Sequence, residues 1–572
     1  MKFMKTHYKL FPVLIMVVFA SCKDLTELNV NPNAVDPTTV NPNFMVPTVI
    51  TATALPYQDN NYQGDVAGAM SYVQKSGWGS GGNNFTWVDG RDWGGYYGNL
   101  RNIYHLIDRS KTEGMEFQEG LGLVLKAFNF GQITDGWGDA PYTAAVNAAG
   151  GTQADLFPAF DTQETIYKGI IADLKSANTL LSKSVDSYKQ INQNADVLYS
   201  GDPAKWRKFA NSLLLRYYLR ISAKLPDVAK AGIEEIMSNP AQFPIFTSND
   251  DNAEMAYTGN PNQRWPANTV DDAGSSSNFT RLQLCSGFRD ILTGVNDPRI
   301  SVWFNKVILQ VKISKEYAPA ADVIVENVRY VNPDSLVTAT HNFIIYNKNT
   351  WAADNDKVIT GANGPISATL IDTAQYVGLP LAYMKAEPMG YNLNPTPKQG
   401  GANVSVSAIS DMFKATNGDM LKAKIISYSE VCFILAEAAQ KGYSVGAQKS
   451  WYEKGIQASL NAWGVGDSYS SYIKNAGVAF DSSLKQIITQ KYIANYQVAM
   501  ESWCDWRRTG FPVLSFGTKG QRLALPIRFR YDQNELNQNG VNAKVAIDKL
   551  VQTAFTAQDG NDSSWSKMWL LQ

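Results

Sequence analysis

The sequence predicts a mostly α-helical protein in which paired helices support long irregular segments. Apolar residues recur at three- and four-residue spacing through most of the chain after residue 95, the period of helices that bury one face. By contrast, 241–280 and 350–405 show no period and are rich in Gly, Pro, Asn and Trp. The composition, 44% hydrophobic and 18% charged, is that of a globular chain with a sizeable core. Long irregular segments in such a domain are usually functional or disordered.

The clearest predicted helix begins at a Gly-Asp-Pro step. Asp202 is a suitable N-cap, Pro203 occupies the first helical position, and apolar residues follow at helical spacing over 206–221. A second helix is predicted over 481–506, with its first residue as the N-cap and Gly510 as the C-cap. Similar helices are predicted over 101–113, 118–134, 162–183, 227–238, 283–293, 422–441 and 446–463.

Helices 422–441 and 446–463 are separated by a short turn and are predicted to pack as a pair, as in TPR-like repeats. The consensus spacing of that repeat is not met, so this prediction rests on the pairing. Two runs, "KVILQVKI" (306–313) and "DVIVENVRYV" (322–331), predict short strands. The predicted fold class is therefore mostly α: TPR-like helix pairs scaffold an irregular, loop-rich half that contains a few short strands.

The first 21 residues have the pattern of a signal peptide. Three lysines precede an apolar run, 10–20, that is too short to span a membrane. The small residues before Cys22 resemble a lipobox, at which the cysteine is acylated and becomes the new N-terminus. Residues 22–47 contain repeated Asn-Pro steps, which predict an extended tether. The predicted organisation is a signal peptide (1–21), a lipidated Cys and tether (22–47), and a single domain (48–572).

Several classes of site are not indicated. The formal net charge is −1 and no basic block is present, which argues against nucleic-acid binding. His105 and His341 have no metal-ligand partner at useful spacing, and His105 is predicted to be a core or surface residue of a helix. Cys432 and Cys504 lie in helical patterns and are predicted to be buried free thiols. No cofactor is predicted, and the sequence does not decide whether Ca²⁺ is bound.

Two glutamates lie in an apolar helical stripe. Glu430 and Glu437 are seven residues apart in "IISYSEVCFILAEAA", so they share the buried face of a helix. A buried carboxylate needs a partner, and Arg507 and Arg508 are the predicted partners because they end another apolar helix. The prediction is a structural ion pair; a pair of catalytic acids is the alternative.

The segment "WGSGGNNFTWVDGRDWGGYYGN" (78–99) combines aromatic rings with glycine. Its second half, with Tyr96 and Tyr97, runs into a helical pattern and is predicted to form the first turns of that helix. Its first half alternates rings with hydrogen-bonding side chains, which suits a sugar because rings cover its C–H faces while Asn, Asp and Arg bind its hydroxyls. Packing is the alternative for any single Trp, since Trp is highly buried on average. The predicted ligand-binding residues are Trp78, Asn83, Asn84, Phe85, Trp87, Asp89, Arg91 and Trp93 in this segment, and Arg264, Trp265 and Trp351 in later irregular segments.

Motifs spread over nearly the whole chain resemble one protein family. A lipobox Cys and "LTELNVNPN" are followed by "DGWGDAPYTAA" (135–145), "FDTQETIYKGIIADLKSA" (160–177), "VLYSGDPAKWRKFANSLLLRYYLRIS" (197–222), "NDPRI" (296–300), "YSEVCFILAEAAQKG" (428–442) and "ESWCDWRRTGFPVL" (501–514). In this order they are similar to the SusD/RagB family of Bacteroidetes outer-membrane lipoproteins, in particular its SusD-like subgroup. Asp532, in "RFRYDQNELNQNGV", stands where that family usually has Pro, which puts one local turn in question.

The resemblance implies a lipid-anchored protein of the outer membrane that faces the cell surface and works without catalysis. Such proteins capture a nutrient, usually an oligosaccharide, and deliver it to a SusC-like TonB-dependent transporter over which they open and close. Cys22 is carried over as the lipidated residue. Lys23, Asp24 and Glu27 resemble the charged tag that directs such lipoproteins to the cell surface.

Two other functions stay open. A peptide-binding member of the same family would rely on backbone pairing and shape rather than on stacking; the many Trp beside Asn and Asp favour an oligosaccharide. A surface hydrolase needs only two carboxylates in a cleft, which need not be close in sequence. No recognised catalytic motif is present, and the family is not enzymatic.

Overall fold

A computed structural model describes most of the chain from Thr39 to Gln572. The residues described are 39–62, 65–75, 85, 87, 89–266, 281–336, 341–345, 359–361, 364–382, 390–397, 401–517, 520 and 522–572. Within them the fold is mostly helical with a few short strands, as predicted. No helix in this part of the chain is both long and apolar enough to cross a membrane.

The helices longer than one turn are labelled in chain order. They are α1 (Val46–Tyr62), α2 (Asp65–Ala69), α3 (Gly94–Glu113), α4 (Glu116–Trp137), α5 (Gln163–Leu180), α6 (Pro203–Arg220), α7 (Pro226–Ser238), α8 (Ser286–Gly294), α9 (Tyr428–Gln440), α10 (Gln448–Ala462), α11 (Leu484–Ala494), α12 (Ala499–Thr509), α13 (Gln533–Gln538) and α14 (Gly540–Asp548). Four-residue helices occupy Gln153–Leu156, Ile300–Trp303, Pro333–Leu336 and Tyr469–Tyr472.

The strands are short and form small sheets. They are β1 (Val73–Lys75), β2 (Ala253–Ala256), β3 (Leu282–Leu284), β4 (Gln310–Ile313), β5 (Val323–Val325), β6 (Val328–Val331), β7 (His341–Ile345), β8 (Ile359–Gly361), β9 (Gly364–Ile371) and β10 (Lys422–Ile426). β1 pairs with β3 and β10 with β2, whereas β4-β6-β5 and β7-β9-β8 are three-stranded sheets. The run predicted as strand over 322–331 is the antiparallel hairpin β5–β6.

Consecutive helices pack on each other, as the pairing pattern predicted. α3 packs on α4, α4 on α5, α5 on α6 and α6 on α7, and α9 packs on α10. The helix predicted to begin at the Gly-Asp-Pro step does so: the Asp202 side chain accepts hydrogen bonds from the backbone N–H groups of Ala204 and Lys205 at 2.9 and 3.2 Å. Gly510 closes α12 with φ of 75°. Tyr96 and Tyr97 lie in the first turns of α3.

Three predicted helices are corrected. The stretch 481–506 forms two helices, α11 and α12, because Gln497 has φ of 75° and interrupts the backbone bonding. Apolar spacing hid this break, since buried aromatic side chains lie on both sides of it, Tyr492 and Tyr496 before it and Trp503 after it. The N-cap of α11 is Ser483. The stretches 422–441 and 283–293 each begin as a strand, β10 and β3, before the helix starts.

The last residues of the predicted tether pack on the domain. The Asn43 side chain donates to the carbonyl oxygen of Gln190 at 2.7 Å, and the Gln118 side chain donates to Asn43 at 2.9 Å. α1 begins at Val46. Residues 43–46 therefore contact the folded body rather than extending away from it.

Buried charged side chains join α4, α6, α9 and α12. The Arg216 guanidinium donates to both carboxylate oxygens of Glu430, at 2.8 and 2.7 Å, and lies 3.4 Å from Glu501. Arg220, one turn later, contacts Glu501 and lies 2.8 Å from Asp135. None of these five side chains is more than 3% exposed. The network therefore ties helices that are distant in sequence into one core.

The predicted ion pairs of α9 are confirmed for one glutamate and corrected for the other. Arg508 pairs with Glu437, as predicted. Glu430 pairs instead with Arg216 of α6, a helix that packs against α9. Arg507 donates to the carbonyl oxygens of Asp135 and Ile527 at 2.8 and 2.9 Å. Helical spacing shows that a glutamate faces inward, but it does not show which helix supplies the cation.

Asp505 of α12 pairs with Lys491 and with Arg508, the partner of Glu437, and it makes the stability of the fold depend on pH. Burial alone would raise the pKa of Asp505, but its ion pairs with Lys491 and Arg508 outweigh burial and lower the pKa to about 2 from 3.8. Such a carboxylate stabilises the fold above its unfolded-state pKa, and the contribution is lost as the pH falls through the folded-state pKa. We expect this group to contribute about 2 kcal/mol to the free energy of unfolding above pH 4, lost by about pH 2.

Urea unfolding of wild type and Asp505→Asn between pH 2 and pH 6 checks this expectation. The variant should be less stable than wild type above pH 4, and the difference should shrink toward pH 2. A difference that stays constant over this range would show that Asp505 is not the titrating group.

Cys285, Cys432 and Cys504 are free and buried, which confirms the prediction for Cys432 and Cys504. Burial raises the pKa of each thiol to about 12. The thiols are therefore protonated at neutral pH and act as small core side chains.

Candidate functional site

The segment after the first Gly-rich stretch lies against the C-terminal part of the chain. The backbone N–H of Arg91 donates to the carbonyl oxygen of Arg530 at 3.1 Å. The Trp137 indole N–H donates to the carbonyl oxygen of Arg91 at 3.2 Å and to that of Arg530 at 3.0 Å. The Ser564 hydroxyl donates to the Trp87 carbonyl oxygen at 2.8 Å. These bonds hold two parts of the chain together that are far apart in sequence.

Gly90 lies where the two segments come closest. A Cβ at this position would lie 2.2 Å from the Tyr531 carbonyl oxygen and 2.7 Å from the Asp532 Cα. Both are backbone atoms, so a side chain at Gly90 would force the segments apart.

We expect Gly90→Ala to lower the free energy of unfolding by about 1–3 kcal/mol, the usual effect of overpacking. Gly95→Ala is the matched control, because a Cβ at Gly95 would meet no atom within 4 Å. Urea unfolding of the two variants checks this. Equal stability of the two would mean that the close approach at Gly90 is not maintained in solution.

Arg91 has a half-buried side chain that is held on three sides. Its Nη2 donates to Asn60 Oδ1 at 2.5 Å, and its Nη1 lies 3.6 Å from Asp65 Oδ2. The guanidinium carbon lies 4.4 Å from the centroid of the Phe529 ring. A guanidinium is planar, charged and rich in donors, so a fixed one can bind ligand oxygens with defined geometry.

Trp87 is 6% exposed and packs against Trp503 and Phe529, with ring centroids 5.7 and 5.4 Å away. Its indole N–H is buried and has no hydrogen-bond partner among the residues that the structure describes. Buried donors are rarely unpaired in folded proteins. An acceptor outside the described residues, such as a water or a ligand hydroxyl, would satisfy this donor.

A cavity of about 490 Å³ adjoins these residues. It is lined by Asp65, Trp87, Asp89, Gly90, Arg91, Asp92, Phe529, Arg530 and Ser564. Three predicted ligand-binding residues, Trp87, Asp89 and Arg91, therefore meet at one cavity, which we call the Trp87 cavity. Its volume lies within the range of about 300–1,000 Å³ that is usual for small-molecule sites. Asp89 and Asp92 are exposed at its mouth.

Phe85 and Trp93 are in the core. Phe85 is 0% and Trp93 5% exposed. The rings around Trp93 are those of Tyr97, Trp137, Phe160 and Tyr531, with centroids 5.5, 5.7, 5.7 and 5.6 Å away. In this structure both side chains serve packing, the alternative weighed for each ring, and neither presents a ring face to solvent.

Trp265 is also fully buried, among the rings of Tyr62, Tyr257 and Phe413. Its indole N–H is a second buried donor without a partner in the described part of the chain. Arg264 beside it is half-buried. Neither residue lines the Trp87 cavity. The predicted residues Cys22, Trp78, Asn83, Asn84 and Trp351 lie outside the described residues.

The cavity also contains residues that sequence reasoning missed. Asp65, Phe529, Arg530 and Ser564 come from distant parts of the chain, and no spacing links them to Asp89. Asp92 lay within the segment already singled out, between two selected residues, so its position alone could have identified it.

Asp532, which stands where the family usually has Pro, is the N-cap of α13. Its side chain accepts a hydrogen bond from the backbone N–H of Asn534 at 2.9 Å.

Comparison with families of known proteins gives a match over most of the chain. A model of SusD-like proteins, described as "Starch-binding associating with outer membrane", matches residues 37–318 and 308–532. The chain belongs to the SusD-like family. Membership of this family associates it with the outer membrane and with nutrient binding. Comparison with curated protein sequences gave no significant match.

Solved structures of similar fold cover nearly the whole chain. An outer-membrane protein from Bacteroides vulgatus associated with nutrient binding is 23% identical, with a TM-score of 0.66 over 93% of this chain and 100% of its own. A SusD homolog from Bacteroides fragilis is 20% identical, with a TM-score of 0.66 over 93% and 100%. A chitin-binding SusD homolog from Flavobacterium johnsoniae is 20% identical, with a TM-score of 0.65 over 93% and 98%. At this identity the likeness establishes the fold.

Proposed function

We propose that this SusD-like protein captures a neutral oligosaccharide in the Trp87 cavity and delivers it to a SusC-like TonB-dependent transporter. The supporting observation is that three side chains line one cavity: Trp87, whose indole N–H has no partner among the described residues, the fixed guanidinium of Arg91 and the carboxylate of Asp89. A sugar presents hydroxyl groups that match all three. The protein acts by binding and release rather than by catalysis.

The charge of the cavity supports a neutral ligand. Three carboxylates, from Asp65, Asp89 and Asp92, line it together with two guanidinium groups. A phosphate, sulfate or uronate would meet an excess of negative charge, which disfavours its binding.

A lipid anchor on Cys22 would place the protein at the outer membrane, and the charged residues that follow it support export to the cell surface. A chitin-binding protein among the structural relatives supports an oligosaccharide as the ligand class. A peptide-binding function is the second candidate, because the opposite charges of Arg91 and Asp89 could also bind the two termini of a peptide.

Calorimetric titration of the purified mature chain with neutral oligosaccharides and with peptides tests this proposal. We expect heat from at least one oligosaccharide, unchanged sugar after incubation, and a loss of affinity of about tenfold or more in Asp89→Ala. Asp186→Ala is the control, because Asp186 is exposed and does not line the cavity. Binding of peptides alone would support the second candidate, and release of smaller sugars would support the hydrolase.

A further inference from the structure

Phe529 and Arg530 line the Trp87 cavity, and the residues that follow them, 536–542, line a larger cavity. Its volume is about 870 Å³, and it is lined by residues of 153–159 on one side and of 536–542 on the other. A cavity of about 260 Å³ beside Trp93 and Glu535 shares lining residues with it. Proceeding along 529–542, the chain thus passes the Trp87 cavity, the small cavity and the large one in succession. We call the largest the distal cavity.

The lining of the distal cavity is uncharged and rich in side-chain amides. The amides are those of Gln153, Asn537, Gln538, Asn539 and Asn542. Phe157, Leu536 and Val541 supply apolar surface between them. Amides can donate to and accept from hydroxyl groups, while apolar side chains cover the C–H faces of a sugar ring. The absence of charge among the lining residues matches a neutral saccharide and gives an ionic ligand no partner.

Two of these amides hold the walls in place. The Asn539 side chain donates to the carbonyl oxygen of Pro158 at 2.9 Å, and the Asn542 side chain donates to that of Phe157 at 2.9 Å. They connect α14 to the facing loop, so the cavity has a fixed width. Gln153 and Gln538 are exposed, and their side chains make no hydrogen bond to residues that the structure describes. These two amides are therefore available to a ligand.

Exposed apolar side chains form a rim along the distal and small cavities. Val541 is 85% exposed and lines the distal cavity, and Leu156 is 51% exposed and lines the small cavity. An apolar side chain gains stability when a ligand covers it, by about 25 cal/mol for each Å² removed from water. The rim therefore offers hydrophobic contact beside the free amides.

We infer that the distal cavity binds further sugar units of the oligosaccharide whose first units occupy the Trp87 cavity. This inference rests on the proposed function and extends it: the preferred ligand is a neutral chain long enough to occupy both cavities. The small cavity shares Phe157, Gln538 and Asn539 with the distal cavity, and its Trp93 directly follows Asp92 of the Trp87 cavity in sequence. Affinity therefore rises with chain length, and the distal amides contribute only to the binding of longer chains.

Calorimetric titration with neutral oligosaccharides of two and of six units tests this inference. The probes are the β-1,4-glucose, α-1,4-glucose, N-acetylglucosamine, xylose and mannose series, each used with the mature chain. We expect the six-unit member of the bound series to bind about tenfold more tightly than the two-unit member. In the double variant Gln538→Ala, Val541→Asp, we expect that gain to disappear while the affinity for two units is unchanged.

Val545→Asp is the matched control. Val545 is 54% exposed on the same helix, α14, but does not line the distal cavity, so this change should leave both affinities as in wild type. Equal binding of both lengths, or a length preference that survives in the double variant, overturns the inference and leaves the proposed function standing. Failure of wild type to bind any series overturns the proposed function, and the inference with it.

Discussion

Replacing Arg216 with Met is expected to lower the free energy of unfolding by about 3–5 kcal/mol, because it leaves the buried Glu430 carboxylate without its ion-pair partner and leaves Glu501 with Arg220 only. Arg216 is 1% exposed at its side chain and contacts both Glu430 and Glu501. Burial raises the pKa of Glu430 even with the cation present. Without it, the buried carboxyl would take up a proton or draw water into the core. Urea unfolding monitored by circular dichroism measures the loss.

An exposed ion pair provides the contrast for this prediction. Lys168 lies 2.5 Å from Glu164, one turn away on α5, with 57% of its side chain exposed. Lys168→Met is expected to change stability by no more than about 0.5 kcal/mol. Adding Glu430→Gln to Arg216→Met should recover part of the loss, because it removes the buried carboxylate that has lost its ion-pair partner. An Arg216→Met protein as stable as Lys168→Met would show that the buried network does not hold the helices together.

Replacing Cys22 with Ala is expected to move the protein from the membrane fraction to the soluble fraction almost completely. Acylation of Cys22 is a prediction from the sequence pattern. Each buried methylene of an acyl chain contributes about 0.8 kcal/mol to membrane binding, so removal of every chain lowers the affinity by many orders of magnitude. No helix in the described part of the chain is long and apolar enough to hold the protein in the membrane instead.

Fractionation of cells that produce either protein, followed by immunoblotting, measures this redistribution. Cys285→Ala is the matched control, because Cys285 is buried in the domain and should not affect membrane attachment. Mass spectrometry of the wild-type N-terminal peptide should show acyl chains on Cys22. Retention of Cys22→Ala in the membrane fraction would refute the lipoprotein assignment.

The helices could be predicted from the sequence because their signals are local. Asp202 and Pro203 start α6 as expected, and Gly510 ends α12 as expected. Helical spacing also identified Glu430 and Glu437 as inward-facing. It failed at Gln497, where a single residue with positive φ separates α11 from α12 without disturbing the apolar pattern. It failed again at β10, whose apolar residues fit a helical stripe as well as a strand.

Only the part of the candidate site that comes from the segment 78–99 could be predicted from the sequence. Trp87, Asp89 and Arg91 came from a segment whose composition was unusual, and they line one cavity together. Phe529 and Arg530 complete it, but tertiary packing alone brings them there. Trp93 and Trp265 show the limit of the aromatic argument. Both are surrounded by other rings, so their replacement by Ala would remove core contacts, at about 3–5 kcal/mol each, as well as any effect on ligand.

This burial decides how the site is best tested. A change at a core Trp would confound folding with binding, whereas Asp89 is exposed at the mouth of the cavity. Replacing Arg91 would affect both binding and stability, because its side chain also contacts Asn60 and Asp65. Asp89→Ala with the Asp186→Ala control therefore separates binding from stability most cleanly.

The most direct test of the central claim is a crystal structure of the mature protein with the oligosaccharide that it binds. We expect sugar density in the Trp87 cavity, with one hydroxyl within hydrogen-bond distance of the Trp87 indole N–H and another within that distance of the Asp89 carboxylate. Density at another surface, with the Trp87 cavity holding only water, would contradict the assignment of this cavity as the ligand site.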